Sequence, residues 1–420
     1  MHHSLIAKSQ SRRPSLASLR GLDWLAFFVA DIQTGFGPFL AVYLTTQKWT
    51  LSDIGLVLTI GALVSLIGQM PGGAVVDAVR SVRHAAASAL IGIGASALSL
   101  ALWPVFIVAA AARVLQAASS CVLGPAIAAI SLGLVGHAAI GERLGRNARF
   151  ASIGNGLSAA IMGAVGYLLS SRAVFFVAAA LAIPALYSLL YIRANEIDPA
   201  TSHGGEDEPQ AATLRAGLRL LFHNRPLLVL SGCTTLFHLA NSSMLPLMAS
   251  LVTKQMPERA TILIAAYIVV PQIVVAACSP WFGHRAQVLG RRNILLLGFA
   301  ALPARGVLLA CVSNPYLLLA VQVLDGISAA VLGVLVPLIA ADVTRGRGHF
   351  NLAQGIVGTA VGIGATISGV VTGYAAELFG ATVAFLLLAA AGAAALISLF
   401  ARMPETAPAG DPMPCHGGHA

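Results

Sequence analysis

Several ionisable side chains lie deep inside long apolar runs of this sequence, where a charge is costly. They are Asp31, Arg113, His238, Arg305 and Asp325. A charged residue at the centre of a membrane helix costs about 2.5 to 3.5 kcal/mol on insertion scales, so such residues face the interior of a helix bundle and have partners there. A carboxylate that faces an arginine in that setting can bind and release a proton as its surroundings change. The sequence therefore predicts proton chemistry within a membrane.

Two of these residues belong to a near-repeat within the chain. Its copies are VLQAASSCVLG at 114–124 and VLDGISAAVLG at 323–333. Arg113 and Gln116 of the first copy become Gln322 and Asp325 in the second. A duplicated membrane-embedded unit is typical of secondary transporters. The sequence thus predicts two related halves with polar groups at equivalent positions.

The composition indicates a membrane protein. Hydrophobic residues make up 57% of the 420 residues and charged residues only 10%, against about a quarter charged in soluble proteins. Twelve apolar runs reach about 20 residues, the length that a helix needs to cross the hydrocarbon core. The runs are much longer than the strands of a membrane β-barrel, which span about ten residues. We therefore expect an all-α membrane protein with twelve transmembrane helices.

A polar interruption divides the apolar runs into two sets of six. It contains the acidic stretch ANEIDPATSHGGEDEPQ, followed by the amphipathic pattern TLRAGLRLLFHNR. The first stretch indicates a flexible linker and the second a helix at the membrane surface. The predicted domains are an N-terminal tail at 1–20, a six-helix bundle at 21–192, the linker at 193–225, a second six-helix bundle at 226–402 and a C-terminal tail at 403–420.

Basic residues indicate the orientation of the chain. Most of its 25 Lys and Arg residues fall in turns on one side of the predicted membrane region, together with both termini. Because such residues are enriched in cytoplasmic loops, we expect both termini in the cytoplasm of a bacterial-type inner membrane. The formal net charge of +9 is spread over these turns beside anionic headgroups, whereas nucleic-acid-binding proteins gather it in one patch. Membrane lipid is an expected partner, and nucleic acid is not.

Two turns at equivalent positions resemble a known family. The turn after the eighth run reads GHRAQVLGRRNIL from Gly283, and the turn after the second reads GAVVDAVRSVRH from Gly73. Both resemble the hallmark turn of the major facilitator superfamily, G-x-L-A-D-R-x-G-R-R-x-x-L, although Gln287 stands where the family prefers Asp. The resemblance implies a cytoplasmic gate, in which an Asp at a helix terminus meets basic residues across the two halves; a role of the arginines in orientation alone is the alternative. The residues assigned to this gate are Gly73, Asp77, Arg80, Gly283, Gly290, Arg291 and Arg292.

The fourth span contains a second motif of this family. Residues 113–116 read RVLQ, which resembles R-x-x-Q-G, with Ala117 in place of the glycine. In proton-linked exporters of the superfamily this arginine is implicated in proton coupling, so the resemblance implies that role for Arg113. We expect Asp31, in the first span, to be its partner and the proton-binding group; a purely structural ion pair is the alternative. The predicted proton-coupling set is Asp31, Arg113 and Asp325.

Polar residues near the middle of the spans are the candidates for substrate contact. Gln33 and Asn241 precede prolines at equivalent positions of the first and seventh spans, which predicts flexible segments that line a cavity. Asp325 is expected to pair with Arg305 or His238. The substrate-binding candidates are Gln33, Gln116, His238, Asn241 and Arg305. The alternative is hydrogen bonding between helices for the amides and a packing role for His238.

These features predict a secondary transporter rather than an enzyme. The sequence has no phosphate-binding loop or metal-binding helix, and no cofactor is expected. Cys415, His416 and His419 in the tail are not expected to bind a metal. Proton-coupled export of a small organic compound by a monomer is the predicted function, and import of a small metabolite or metal chelate by proton symport, or uniport, is the alternative. The fifth span, from Gly154, departs from the exporter pattern because it lacks the proline typical of antiporters.

Overall fold

The computed structural model describes residues 14–34, 36, 38–205, 219, 222–256 and 259–407. The helices of the first half are α1 (Leu16–Thr34), α2 (Pro38–Thr46), α3 (Leu51–Ala78), α4 (Val82–Leu102), α5 (Phe106–Leu168) and α6 (Ser171–Tyr191), and the linker holds α7 (Pro199–Ser202). Those of the second half are α8 (Arg225–Asn241), α9 (Met244–Gln255), α10 (Ala260–Leu289), α11 (Arg291–Cys311), α12 (Pro315–Thr344), α13 (Phe350–Phe379) and α14 (Ala381–Arg402). The metal-ligand candidates of the C-terminal tail and most of the predicted amphipathic helix lie outside the described residues.

Helix α5 contains two membrane-crossing segments joined at a sharp break. Gly136 has a φ of +69°, a left-handed conformation that glycine adopts without the steric cost of a Cβ. Beyond Gly136 the chain folds back on itself. This reversal is shown by the hydrogen bond that Asn147 Nδ2 donates to Ser131 Oγ at 2.8 Å, since the two residues are 16 positions apart. The segment before Gly136, α5a, is the predicted fourth span, and the segment after it, α5b, is the fifth.

The first and seventh spans are both broken helices. α1 ends at Thr34 and α2 begins at Pro38, where a proline costs no helical hydrogen bond. In the seventh span, α8 ends at Asn241 and α9 begins at Met244. At this second break, Ser243 Oγ accepts a hydrogen bond from Ser368 Oγ of α13 at 2.8 Å. Both interruptions fall in the segments that the sequence predicts to be flexible.

Twelve spans are present within the described residues. Ten helical stretches are long and apolar enough to cross a membrane; α5 supplies two passes, and α1 with α2 forms the remaining one. Six spans precede the linker and six follow it. One buried hydrophobic core lies within the first set, and another, centred on the second set, reaches α5. The prediction of an all-α membrane protein with two six-helix bundles is therefore confirmed.

The two bundles contact each other on the side of the membrane region that carries the linker and both ends of the described chain. We call it the terminus side. Here Ser15 donates from its backbone N–H to Glu196 of the linker at 3.0 Å, and Glu405 accepts from the backbone N–H of Arg291 at 2.9 Å. The most extensive contacts between bundles are those of α3 with α13 and of α5b with α10, and α5 also contacts α12 and α13.

Contact between α3 and α13 is limited to the terminus-side part of both helices. There the backbone of Gly355 lies so close to Gln69 and Met70 that an added Cβ would be 2.8 Å from the Met70 Cα. Farther along the helices, Leu56 on α3 and Ile367 on α13 are exposed. The space between the bundles is therefore closed on the terminus side and open toward the opposite side.

Candidate functional site

A buried arginine organises the polar cluster of the second bundle. Arg305 of α11 is only 1% exposed. Its Nη1 donates to Asp325 Oδ1 at 2.5 Å and to Asn241 Oδ1 at 2.7 Å, and its Nη2 donates to Gln322 Oε1 at 2.9 Å. One guanidinium thereby joins α8, α11 and α12. The structure brings together three residues that the sequence singled out, in agreement with the expectation that buried charges have partners.

His238 stands apart from this cluster. It lies one turn before Asn241 on α8, and its ring packs against the Phe237 ring with 5.4 Å between centroids. Of the two partners considered for Asp325, Arg305 is therefore the one that the structure pairs with it. The Asp325 side chain is 20% exposed while that of Arg305 is 1% exposed, so the carboxylate is the accessible member of the pair.

Arg113 and Gln116 form a smaller cluster in the first bundle. Arg113 Nη1 donates to Gln116 Oε1 at 2.5 Å, and Gln116 Nε2 donates to Ser120 Oγ at 3.0 Å. Gly61 of α3 leaves room for the guanidinium, because a Cβ there would lie 2.5 Å from Arg113 Nη2. Arg113 lies only about 10 Å from the start of α5a, at 1.5 Å per residue. It is therefore closer to the open side than the sequence suggested, which placed it near the middle of the membrane.

Two of the predicted site residues, Asp31 and Gln33, lie near the end of α1. The side chains of both lie outside the described part of the chain. The predicted pairing of Asp31 with Arg113 therefore stays a prediction.

A cavity of about 460 Å³ lies between the two bundles. The equivalent glycines Gly124 and Gly333 of the near-repeat line it from opposite sides. Among the described residues that line it, the polar side chains are the amides of Gln69, Asn147, Asn155 and Gln354, and none is ionisable. The cavity thus offers apolar contacts and neutral hydrogen-bonding groups.

The charged clusters lie on the open side of this cavity. Asp325 comes eight residues before Gly333 on α12, which places it about 12 Å away along the same helix face. On α5a, Arg113, Gln116 and Ser120 precede Gly124 at helical spacing and continue its face in the same direction. A solute that enters from the open side therefore passes the level of both clusters before it reaches the amides.

Asp77 closes the terminus side by binding the start of a helix in the other bundle. Its carboxylate accepts hydrogen bonds from the backbone N–H of Asn351 at 3.2 Å, from Asn351 Nδ2 at 2.9 Å and from the backbone N–H of Leu352 at 2.8 Å. These N–H groups belong to the first turn of α13, where the helix dipole favours a negative charge. The resemblance implied basic partners for Asp77, but the structure gives it a helix N-terminus. Arg80 is exposed.

The equivalent turn of the second bundle closes against α5b. The backbone of Gly283 touches that of Gly141, and a Cβ on Gly141 would lie 2.9 Å from the Gly283 carbonyl oxygen. Gln287, which stands in the position of Asp77, donates from Nε2 to the Ala138 carbonyl oxygen at 2.7 Å. An amide suits this site because its partner is a carbonyl, whereas the partner of Asp77 is a set of N–H groups.

Three further gate candidates make contacts within the second bundle instead of across the interface. Arg291 donates from Nε to Asp342 at 2.9 Å, and Arg292 donates from Nη2 to the Phe400 carbonyl oxygen at 2.6 Å. Gly290, with a φ of +88°, is the N-cap residue of α11, and a Cβ there would meet the Glu405 carboxylate. These residues fix the start of α11 and do not bridge the two halves in this conformation.

A buried ion cluster that the sequence did not predict joins α1 to α5b. Asp23, 2% exposed, accepts from Arg143 Nη2 at 2.5 Å and from Arg146 Nη2 at 2.6 Å. Arg143 also donates from Nε to Asn147 Oδ1 at 2.9 Å, and Asn147 lines the cavity. The available signal was a carboxylate inside the first apolar run and three arginines in the turn before the fifth span.

The first part of the linker is folded rather than flexible as predicted. Asp198 donates from its backbone N–H to the Gly133 carbonyl oxygen at 3.0 Å, which ties the linker to the first bundle. His203, 5% exposed, accepts at its carbonyl oxygen from the Phe350 N–H at 3.2 Å, which ties it to the second. This segment therefore adds a link between the bundles on the terminus side.

Glu196 anchors the same segment to the start of the chain. Burial alone would raise its pKa, but hydrogen bonds from Ser18 and Ser15 and the nearby charge of Arg193 outweigh this and hold the pKa below its ordinary value. The carboxylate therefore stays ionised over the physiological pH range, and this contact persists there.

Two pseudo-symmetric helix bundles around a cavity that is closed on one side define a secondary transporter. The comparisons with known proteins agree. The model of the Major Facilitator Superfamily matches residues 23–302 and 259–414. Two relatives from Mycobacterium tuberculosis, both described as uncharacterised MFS-type transporters, are each 37% identical over 396 residues, which cover 92% of this chain and 93% of theirs. The chain belongs to the major facilitator superfamily.

Solved structures show the same fold at low sequence identity. The transporter FucP in its outward conformation has a TM-score of 0.74 at 15% identity, with 91% of this chain and 98% of that chain covered. The human organic anion transporter MFSD10 (TETRAN) has a TM-score of 0.67 at 15% identity, with 91% and 99% covered. The fold is therefore that of this superfamily along nearly the whole chain.

Proposed function

We propose that this protein couples the transport of a small, partly apolar organic compound to the movement of protons across a bacterial inner membrane. It works as a monomer with both termini in the cytoplasm, and export by proton antiport is the direction we favour. The cavity between the bundles supports a substrate of modest size that makes apolar contacts and neutral hydrogen bonds. Protons bind at Asp325 and, in the first bundle, at Asp31.

The observation that carries the proposal is the ion pair of Asp325 with Arg305 inside the membrane. A proton on Asp325 would neutralise it and remove its attraction for the guanidinium, which then depends on Asn241 and Gln322. The partly exposed carboxylate can exchange that proton with a water-filled space. A buried ion pair is weak evidence for stability alone, so its cost inside a membrane favours a functional role.

A chain of contacts links this ion pair to the closed terminus side. Arg305 binds Asn241 of α8 at 2.7 Å. Thr235, also on α8, donates from Oγ1 to the Ala360 carbonyl oxygen of α13 at 3.1 Å, and the start of α13 holds Asp77. We propose that protonation of Asp325 loosens α8 against α11 and α12 and shifts the bundles toward opening on the terminus side.

One observation favours proton symport of an organic acid as the second candidate. The buried Nε atoms of Arg113 and Arg305 both lack a hydrogen-bond partner among the described residues, but the Nη atoms of Arg305 bind Asp325, Asn241 and Gln322, whereas Arg113 binds only Gln116 among them. A guanidinium with a vacant donor is suited to a carboxylate, which it can bind through two parallel hydrogen bonds. If a substrate carboxylate binds at Arg113, its negative charge has to be balanced during transport. A proton imported with the substrate, or another anion moved in exchange, would do so.

Proton movement in proteoliposomes tests the proposal. Pools of lipophilic cations, organic acids and sugars are added outside vesicles that contain a pH dye. We expect one pool to evoke lumenal alkalinisation for antiport or acidification for symport, and the signal to be lost in Asp325→Asn. One proton moved through 100 mV supplies about 2.3 kcal/mol, or about a fiftyfold concentration gradient, and the variant is expected to lose that gradient.

The exposed Glu377 provides the matched control, because Glu377→Gln removes a carboxylate from the outer part of α13 and is expected to keep the signal. In the same assay, Asp31→Asn is expected to abolish proton coupling with little change in shape. If Asp31→Asn retains the full signal, Asp31 is structural. If substrate crosses with no proton signal in the wild type, the protein is a uniporter or uses another ion.

A further inference from the structure

A groove of about 610 Å³ lies between α1 and α6 on the outer surface of the first bundle, away from the central cavity. Each helix contributes one stripe of residues at helical spacing. The stripe of α1 consists of Ala17, Arg20, Gly21, Trp24 and Phe28, and that of α6 of Pro184, Tyr187, Ser188 and Tyr191.

The groove has the depth of one membrane leaflet. Gly21 lies level with the end of α6, because a Cβ there would be 2.8 Å from the Ser188 carbonyl oxygen and 3.0 Å from the Tyr191 Cβ. From Arg20 to Phe28 the groove extends about 12 Å along α1, at 1.5 Å per residue. Half of the hydrocarbon core is about 15 Å thick, so an acyl chain that enters beside Arg20 can follow the groove through most of one leaflet.

The rim of the groove carries an unneutralised positive charge. Arg20 is exposed and has no ion pair within the part of the chain that the structure describes. The nearby carboxylates are engaged elsewhere: Asp23 is held by Arg143 and Arg146, and Glu196 is held by Ser15 and Arg193. An anionic group at the rim would therefore meet Arg20 without competition.

Aromatic side chains line the groove below this rim. Trp24 is 49% exposed, Tyr187 58% and Tyr191 48%, and the Tyr191 hydroxyl donates to that of Tyr187 at 2.9 Å. Trp and Tyr are enriched at the level of the headgroups, where one end of the ring is apolar and the other polar. From the rim inward, the groove therefore presents a positive charge, then aromatic rings with polar ends, then an apolar surface. This order matches the headgroup, the interfacial region and the acyl chain of a phospholipid.

We propose that this groove binds one anionic phospholipid of the terminus-side leaflet, with its phosphate and headgroup at Arg20 and an acyl chain between α1 and α6. Among the described residues that line the groove, Arg20 is the one charged side chain, so the site is expected to select for headgroup charge. The inference is independent of the transported substrate and of proton coupling.

Quenching of Trp24 fluorescence by brominated lipid tests this site. The protein is reconstituted in mixtures of phosphatidylglycerol and phosphatidylcholine in which only one of the two lipids carries bromine, and Trp24→Phe isolates the contribution of this ring. We expect phosphatidylglycerol to be preferred at Trp24 by about fivefold, from about 1 kcal/mol per basic residue at an anionic surface. In Arg20→Gln the preference is expected to fall to nearly one.

Arg225→Gln is the matched control, because Arg225 is exposed at the start of α8 and does not line the groove; it is expected to keep the preference. Equal quenching by both lipids in the wild type, or an unchanged preference in Arg20→Gln, would overturn the proposal. An equal loss of preference in both arginine variants would also overturn it, because it would indicate a general surface charge effect.

Discussion

Arg305→Met is expected to destabilise the protein by about 3 to 5 kcal/mol, because it leaves the Asp325 carboxylate without its cationic partner inside the membrane. Arg305 makes three side-chain hydrogen bonds to α8 and α12, so its loss also separates helices that it joins. The measurement is the free energy of unfolding of the purified protein in detergent micelles, obtained by titration with a denaturant.

The double variant Arg305→Met/Asp325→Leu distinguishes a lost charge partner from lost packing. Replacing both members of a buried pair by apolar residues is often nearly neutral, so we expect stability to recover to within about 1 to 2 kcal/mol of the wild type while proton coupling stays absent. Arg225→Met, at an exposed arginine, is expected to change stability by about 0.5 kcal/mol or less. A double variant as unstable as Arg305→Met would contradict this explanation.

Gly283→Leu is expected to prevent closure of the terminus side and to abolish transport. Its side chain would enter the space occupied by the backbone of Gly141, and neither backbone can move away without separating α10 from α5b. Overpacking of this kind costs about 1 to 3 kcal/mol, which shifts the ratio of open to closed states by about 5- to 150-fold. Both bundles should remain folded, because the clash lies between them.

Alkylation of a cysteine placed on the terminus-side part of α10 or α5b measures this shift, since the residue becomes accessible when the bundles separate. Gly373→Leu provides the control, because Gly373 on α13 has no atom within 4 Å of an added Cβ. It is expected to transport normally. Normal transport by Gly283→Leu would mean that the contact with Gly141 is not required in the cycle.

The number of spans and the two-bundle fold could be predicted because each span leaves its own signal in the sequence. Apolar runs of membrane-crossing length and a repeated motif are local features, and they do not depend on how the helices pack. Between the fourth and fifth of these spans, the structure keeps helix close to either side of the reversal at Gly136. The folded linker was missed because its order comes from contacts with Gly133 and Phe350, in two different bundles.

The partners within the candidate site were harder to predict because they lie far apart in the chain. The similar depths of these residues along their spans suggested that Asp325 pairs with Arg305 or His238. Which of the two it pairs with depends on how α11 and α12 cross. The Asp23 to Arg143 pair spans 120 positions, and no pattern in one sequence connects them. For Asp77 the family resemblance implied basic partners across the two halves, but its partner in the structure is the start of α13.

In the proposed mechanism, the charge of Asp325 controls the terminus-side contact between the bundles. The most direct measurement is the distance between spin labels at Arg80 and Arg347, exposed residues in terminus-side turns of opposite bundles, in protein whose native cysteines have been replaced. As the pH is lowered, we expect a growing population with a longer distance in the wild type, and we expect that longer distance at every pH in Asp325→Asn. An identical pH response in both proteins, or none in the wild type, would contradict this mechanism.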